Sequence, residues 1–127
     1  MDLQGIKVLV VDDDEDLVSL IGDLLASRSA HVMTATKGSD AVSLLSMFRP
    51  DVIVSDINMP ECDGYQLLRM IRIRGQQYGG HAPAIALTAR REVIDHTRCK
   101  LAGYSLHIPK PFDPEVLCAA IKRLARA

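Results

Sequence analysis

Ile6-Lys7-Val8-Leu9-Val10-Val11-Asp12-Asp13-Asp14-Glu15-Asp16 is a short apolar run that ends abruptly in clustered acids. A hydrophobic strand stopping at carboxylates places them at its carboxyl edge, where open α/β sheets bind ligands. Two carboxylates about 5 Å apart repel by roughly 3 kcal/mol at an effective dielectric near 20. A fold that aims several acids at one point therefore supplies a cation or protonates one of them. The same run also suits a helix start, with Asp14 as the cap and Glu15 and Asp16 in the first turn, where the helix dipole favours negative charge. The choice between these readings lies in the rest of the chain.

Immediately downstream, Leu17, Leu20, Ile21, Leu24 and Leu25 recur with helical spacing and predict an amphipathic helix. His31 to Ala35 is a strand candidate, and Ala41, Val42, Leu44, Leu45 and Phe48 restore the helical period until Pro50 interrupts it. Val52-Ile53-Val54 is an unbroken apolar run ending at Ser55-Asp56, the pattern of a strand buried on both faces. Asn58-Met59-Pro60 and Asp63-Gly64 mark a loop before a third helix carrying Tyr65, Leu67, Leu68 and Ile71.

Gly75 to Pro83 reads as a surface connection, and Ala84 to Leu87 as a strand ending at Thr88. A thin apolar face predicts a loosely packed fourth helix from about Glu92 to Leu101, closed near Gly103. Tyr104 to Ile108 is a fifth strand, and Pro109, lacking an N–H, suits a sheet edge. Val116, Leu117, Ala120, Ile121 and Leu124 give the last helix. Five strands alternating with five helices imply a three-layer α/β fold, a doubly wound parallel sheet with right-handed crossovers.

Composition narrows the function classes. The chain has 127 residues, 48% hydrophobic and 24% charged, with a net charge of −1, which fits one globular domain over 1–127. Charges of both signs are interspersed, without the basic stripe that direct nucleic-acid binding requires. No apolar stretch approaches a membrane span and the N-terminus shows no signal-peptide pattern, so the expected location is the cytoplasm. Cys62, Cys99 and Cys118 are widely spaced and read as reduced thiols, not as a zinc or redox motif. The histidines show no metal-ligand spacing either.

The strand ends carry the chemistry. Asp12 and Asp13 follow the first strand, Asp56 ends the third, Thr88 the fourth, and Lys110 stands just past the fifth. In a parallel sheet these ends share one side, so three carboxylates, a hydroxyl and an ammonium converge there. Singly, each has an ordinary explanation as turn residue, helix cap or solvated lysine. None of those explains why all of them fall on one side of the sheet.

At Leu9-Val10-Val11-Asp12-Asp13, Asp56-Ile57-Asn58-Met59-Pro60, Asp63-Gly64, Leu87-Thr88-Ala89 and Lys110-Pro111-Phe112 the chain resembles the response-regulator receiver domain of two-component signalling. The resemblance covers essentially the whole chain. It implies the flavodoxin-like strand order 2-1-3-4-5, an order for which a member of this family is a standard example. It further implies that Asp56 is the phosphoacceptor, that Asp12 and Asp13 with Asp56 and the backbone carbonyl of Asn58 serve Mg²⁺ or another divalent cation, and that Lys110 and Thr88 contact the phosphoryl group. Residue chemistry agrees: a carboxylate is a competent nucleophile toward an activated phosphoryl group whose charge is neutralised, and Mg²⁺ prefers hard oxygen ligands. The resemblance also implies a cis Lys110-Pro111 peptide and phosphoryl transfer from a histidine kinase or a histidine phosphotransfer protein.

Receivers couple the acceptor to a distant face through the Thr88 position and an aromatic three residues before the lysine. Here that residue is His107, a switch candidate that is equally readable as an edge-strand histidine. Strand alternation places Leu106 and Ile108 on one face, and Ser105 and His107 on the other, beside the fourth helix. Arg90, like Asn58, occupies a position that governs acyl-phosphate lifetime in the family. The Gly-rich connection and the His107 to Pro111 ending look similar to receiver modules of hybrid histidine kinases. Because 127 falls just after the last helix, the expectation is a receiver without an output domain in this chain, signalling to a further protein, with the fourth helix and fifth strand as a candidate dimer face.

Two other readings compete. In a haloacid-dehalogenase-type phosphatase the nucleophile would be Asp12, in an Asp-x-Asp pattern with Thr88 and Lys110, but Asp56 then has no place and a later acidic pair and cap are missing. In a degenerate receiver the domain would only bind proteins, which leaves the complete acidic pocket unexplained.

Overall fold

A computed structural model of the chain describes residues 2–57, 63–75, 77, 80–89 and 96–126. Its elements alternate as β1 (Lys7–Val11), α1 (Glu15–Ser27), β2 (His31–Ala35), α2 (Gly38–Phe48), β3 (Val52–Asp56), α3 (Gly64–Ile73), β4 (Ala84–Ala89), α4 (His96–Ala102), β5 (Tyr104–Lys110) and α5 (Pro114–Ala125). All strand pairs are parallel, in the order β2-β1-β3-β4-β5. Parallel pairing demands crossovers, and the helices that supply them cover both faces of the sheet.

Strand alternation divides the core in two. Val8, Val10, Val52, Val54, Ile85 and Leu87 pack with Ile21, Leu25, Leu117 and Ile121 of α1 and α5. Leu9, Val11, Ile53, Ala84 and Ala86 pack with α2 and α3 through Val42, Leu45, Leu67, Leu68 and Ile71. The central strands are therefore buried on both faces, which is why β1 and β3 read as continuous apolar runs.

Local chemistry sets the helix starts. Asp14 caps α1, accepting from the backbone N–H groups of Asp16 and Leu17 at 3.1 and 3.2 Å. Asp63 and Gln66 form a reciprocal capping box on α3, at 2.8 and 3.2 Å. Asp113 caps α5 ahead of Pro114.

Two expectations, on the stretch before β4 and on β5, need correction. The stretch before β4 is not wholly a surface connection, because Gly80 and Ala82 are buried. Their carbonyls accept from the guanidinium of Arg72 at 2.9 and 2.6 Å, which removes the cost of burying them unpaired. Burial holds the Arg72 pKa below its ordinary value. The fourth helix begins at His96 in the described residues, Glu92 lying outside them, and its Leu101 is indeed exposed. Finally, β5 extends to Lys110 and does not alternate cleanly: Tyr104 pairs with Ala84 but Leu106 pairs with Ile85, so Ser105 is bulged out of register. The bulge puts Tyr104, not Ser105, on the face of His107. Pro109 lies within this edge strand, as its missing N–H requires.

Candidate functional site

Val11 of β1 is in register with Ser55 of β3, so the residues that follow, Asp12 and Asp56, leave the sheet at neighbouring strand ends. Asp13 joins them: one carboxylate oxygen from each of Asp12, Asp13 and Asp56 lies within 4.8 Å of the other two. Asp12 and Asp56 are buried, whereas Asp13 is exposed and opens the cluster to water. Three hard oxygen donors with one solvent-facing side suit Mg²⁺, which keeps several of its waters. Asp14 points elsewhere, into its helix cap, so the acidic run splits as its two readings suggest.

Lys110 reaches this cluster from the end of β5. Its Nζ donates to Asp12 Oδ2 at 2.9 Å and lies 3.4 Å from Asp56 Oδ1. Burial alone would lower the lysine's pKa, but the hydrogen bond to Asp12 and the charges of Asp56 and Asp12 together outweigh it and raise the pKa above the ordinary value. The other oxygen of Asp12, Oδ1, accepts from the Asp14 N–H at 3.0 Å. The Lys110-Pro111 peptide is cis.

Thr88 follows Leu87, the residue of β4 in register with Asp56, and so stands near the same strand end. It is 1% exposed and its Oγ1 is buried with no hydrogen-bond partner among the described residues. An unsatisfied buried hydroxyl costs about 1–3 kcal/mol. A ligand oxygen at the mouth of the pocket would satisfy it. Asn58 and Arg90 lie outside the described residues. His107 is half-buried on the face it shares with Tyr104, in register with Ala86, two strand positions below Thr88 along β4. Beside Lys110 an apolar groove of about 480 Å³ opens between Leu17, Leu20 and Leu24 of α1 and Pro111, Phe112 and Pro114.

This arrangement has known counterparts. The family model of the response regulator receiver domain matches residues 8–122. The chain belongs to that family. Among curated relatives, response regulator MprA of Mycolicibacterium vanbaalenii is 34% identical over 95% of the chain, which spans only 51% of that relative's length. Protein PilG of Pseudomonas aeruginosa is 32% identical, covering 93% of the chain and 86% of the relative. Among solved structures, the receiver domain of sensor histidine kinase PA1611 from Pseudomonas aeruginosa, described with a magnesium ion coordinated in its active-site cleft, superposes with a TM-score of 0.84 at 32% identity, over 97% of this chain and 99% of that one. As a receiver domain the protein is a two-component signalling module, and the phosphatase and degenerate readings are not favoured. Among the described residues no helix is long and apolar enough to cross a membrane.

Two residues of this region escape sequence reasoning. In the sequence Gly64 reads as a loop residue and as part of the Asp63-Gly64 motif, without a stated role, yet a Cβ there would stand 2.6 Å from the Asp56 carbonyl oxygen and 2.7 Å from Ile57 Cα. Tyr104, 40 residues away, donates its hydroxyl to the Gly64 carbonyl at 2.8 Å. An Asp-Gly pair after a strand was the available signal for the first; no local signal exists for the second.

Proposed function

We propose that Asp56 is the phosphoacceptor of this receiver, taking a phosphoryl group from the phosphohistidine of a kinase or phosphotransfer protein. The observation that carries this reading is the position of the Asp56 carboxylate, inside the acidic cluster and 3.4 Å from the Lys110 ammonium. An Asp56 oxygen attacks phosphorus, the bond from phosphorus to the donor imidazole nitrogen breaks, and that nitrogen takes up a proton. Lys110 pairs with one phosphoryl oxygen, and the unpartnered Thr88 hydroxyl donates to another. Asp12, Asp13 and Asp56, with the Asn58 carbonyl by resemblance, would hold Mg²⁺, which when bound supplies positive charge against the incoming phosphoryl oxygens. Asp12, whose oxygens accept from Lys110 and from the Asp14 N–H, is assigned to the metal-serving pair, since a nucleophilic Asp12 would leave Asp56 without a role.

The apolar groove flanking Lys110 gives a protein donor a surface beside the acceptor. On phosphorylation, Thr88 is drawn toward the new oxygen, and α4 and β5, with His107, shift between two arrangements that a downstream protein reads. Incubation with Mg²⁺ and a small phosphodonor, followed by mass spectrometry, tests the reading. Phosphate on Asp56 that disappears in Asp56→Asn supports it; phosphate on Asp12, or none, overturns it. Chemical-shift changes confined to the acidic pocket on adding a phosphoryl mimic would overturn the switching part alone.

A further inference from the structure

We propose that Tyr104 is a positioning residue for the Asp56 site, its hydroxyl anchoring Gly64 in close contact with the backbone of the acceptor. The proposal rests on the reading of Asp56 as phosphoacceptor.

Tyr104 is buried at 6% exposure, and its hydroxyl donates to the Gly64 carbonyl at 2.8 Å. A buried phenol needs some partner, and that need alone would make this bond structural. What lies behind Gly64 gives it a further consequence. A Cβ on Gly64 would meet the Asp56 carbonyl oxygen at 2.6 Å, Ile57 Cα at 2.7 Å and the Tyr104 hydroxyl at 2.9 Å, so the side-chain position of the glycine is filled jointly by the acceptor's own backbone and by the tyrosine. The Gly64 N–H donates to the Ile57 carbonyl at 2.7 Å, and the Asp56 carbonyl accepts from the Ser55 hydroxyl at 3.0 Å. The backbone that carries the nucleophile is thereby held by Gly64 and by the Ser55 hydroxyl, and Gly64 is held in turn by Tyr104.

The origin of this grip is the bulge at Ser105. Without it, strict alternation would place Tyr104 on the face of Leu106 and Ile108, against α5; with it, Tyr104 joins the α3 face. The adjacent Gly103, at φ +107°, offers its carbonyl to Arg72 at 3.1 Å. Neighbouring residues of the α4–β5 junction thus hold both ends of α3: Gly103 its last turn, Tyr104 its first residue. The same strand presents Lys110 to the Asp56 carboxylate at 3.4 Å. β5 therefore fixes the acceptor twice, at its carboxylate and behind its backbone, and misplacement of a reacting group by about 1 Å can cost 100-fold in rate.

Tyr104→Phe keeps the ring and removes the hydroxyl. Calorimetric titration with Mg²⁺ should give a Kd raised about tenfold, at the lower end of what loss of outer-shell support does to metal sites. Phosphorylation by a small donor at saturating Mg²⁺ should slow, and the Gly64 amide should exchange faster. Leu124→Ala, in the core on the opposite face of the sheet, serves as a stability control. It should lower the thermal midpoint and leave Mg²⁺ affinity unchanged. The proposal is overturned if Tyr104→Phe retains wild-type Mg²⁺ affinity and phosphorylation rate, or if Leu124→Ala weakens Mg²⁺ binding as much. Failure of the wild-type protein itself to take phosphate on Asp56 would overturn the acceptor reading and this one with it.

Discussion

Lys110 donates to Asp12 at 2.9 Å and stands 3.4 Å from Asp56, so its shorter contact is with the neighbour of the proposed acceptor. One ammonium serves two buried carboxylates. Replacing it by methionine leaves the Asp12 oxygen without its charged donor, at an expected cost of about 1–3 kcal/mol, read from urea denaturation without divalent cation. Adding Mg²⁺ should recover more stability in Lys110→Met than in the wild type, because a cation in the cluster replaces the lost charge. Equal stabilities for the two proteins would sink this account of Asp12.

The same contacts set a pH dependence. The folded-state pKa of Lys110 lies above its ordinary value of 10.5. A group with a raised folded pKa contributes stability in full below its unfolded pKa, and that contribution fades as pH climbs through the folded pKa. The urea midpoint of the wild type should therefore decline as pH is raised past the ordinary lysine value, and Lys110→Met should lose part of that slope.

Asp13 is the exposed member of the three-carboxylate cluster. Asp13→Asn should relieve like-charge repulsion and stabilise the metal-free protein by about 1 kcal/mol. It should also shrink the rise in thermal midpoint on adding Mg²⁺, since that rise follows affinity. Thermal scans with Mg²⁺ and with a chelator decide the matter, and an unchanged Mg²⁺ response would remove Asp13 from the ligand set.

Thr88 carries a buried hydroxyl without a partner among the described residues. Thr88→Val preserves the shape and deletes the orphan group, so the protein by itself should be as stable as wild type, or more stable by about 1 kcal/mol. Stabilisation by a phosphoryl mimic such as beryllofluoride should be weaker in the variant. A clear loss of stability without the mimic would show that the hydroxyl already has a role in the fold.

Much of this was legible in the chain. Continuous apolar runs at Val8 to Val11 and Val52 to Val54 announce doubly buried strands, and the helical spacing after Asp16 and after Pro114 announces α1 and α5, because burial demands are written residue by residue. Asp12, Asp13, Asp56, Thr88 and Lys110 were findable because a parallel sheet places the ends of all its strands on one side. The bulge at Ser105 was not, since one extra residue in a strand leaves no trace in a hydrophobic pattern. Nor was the burial of Gly80 and Ala82, which depends on an arginine from another element.

The sequence by itself determined the alternation of strands and helices, the helix caps and the identity of the groups at the strand ends, all of which follow from local periodicity and side-chain chemistry. Tertiary structure decided what those groups do to one another. It engaged both oxygens of Asp12, left the Thr88 hydroxyl unpaired, and set Tyr104 behind the backbone of Asp56. Such relations arise only when register, bulge and crossover bring distant residues within hydrogen-bond reach, and at that range displacements of a few tenths of an ångström determine which bonds exist.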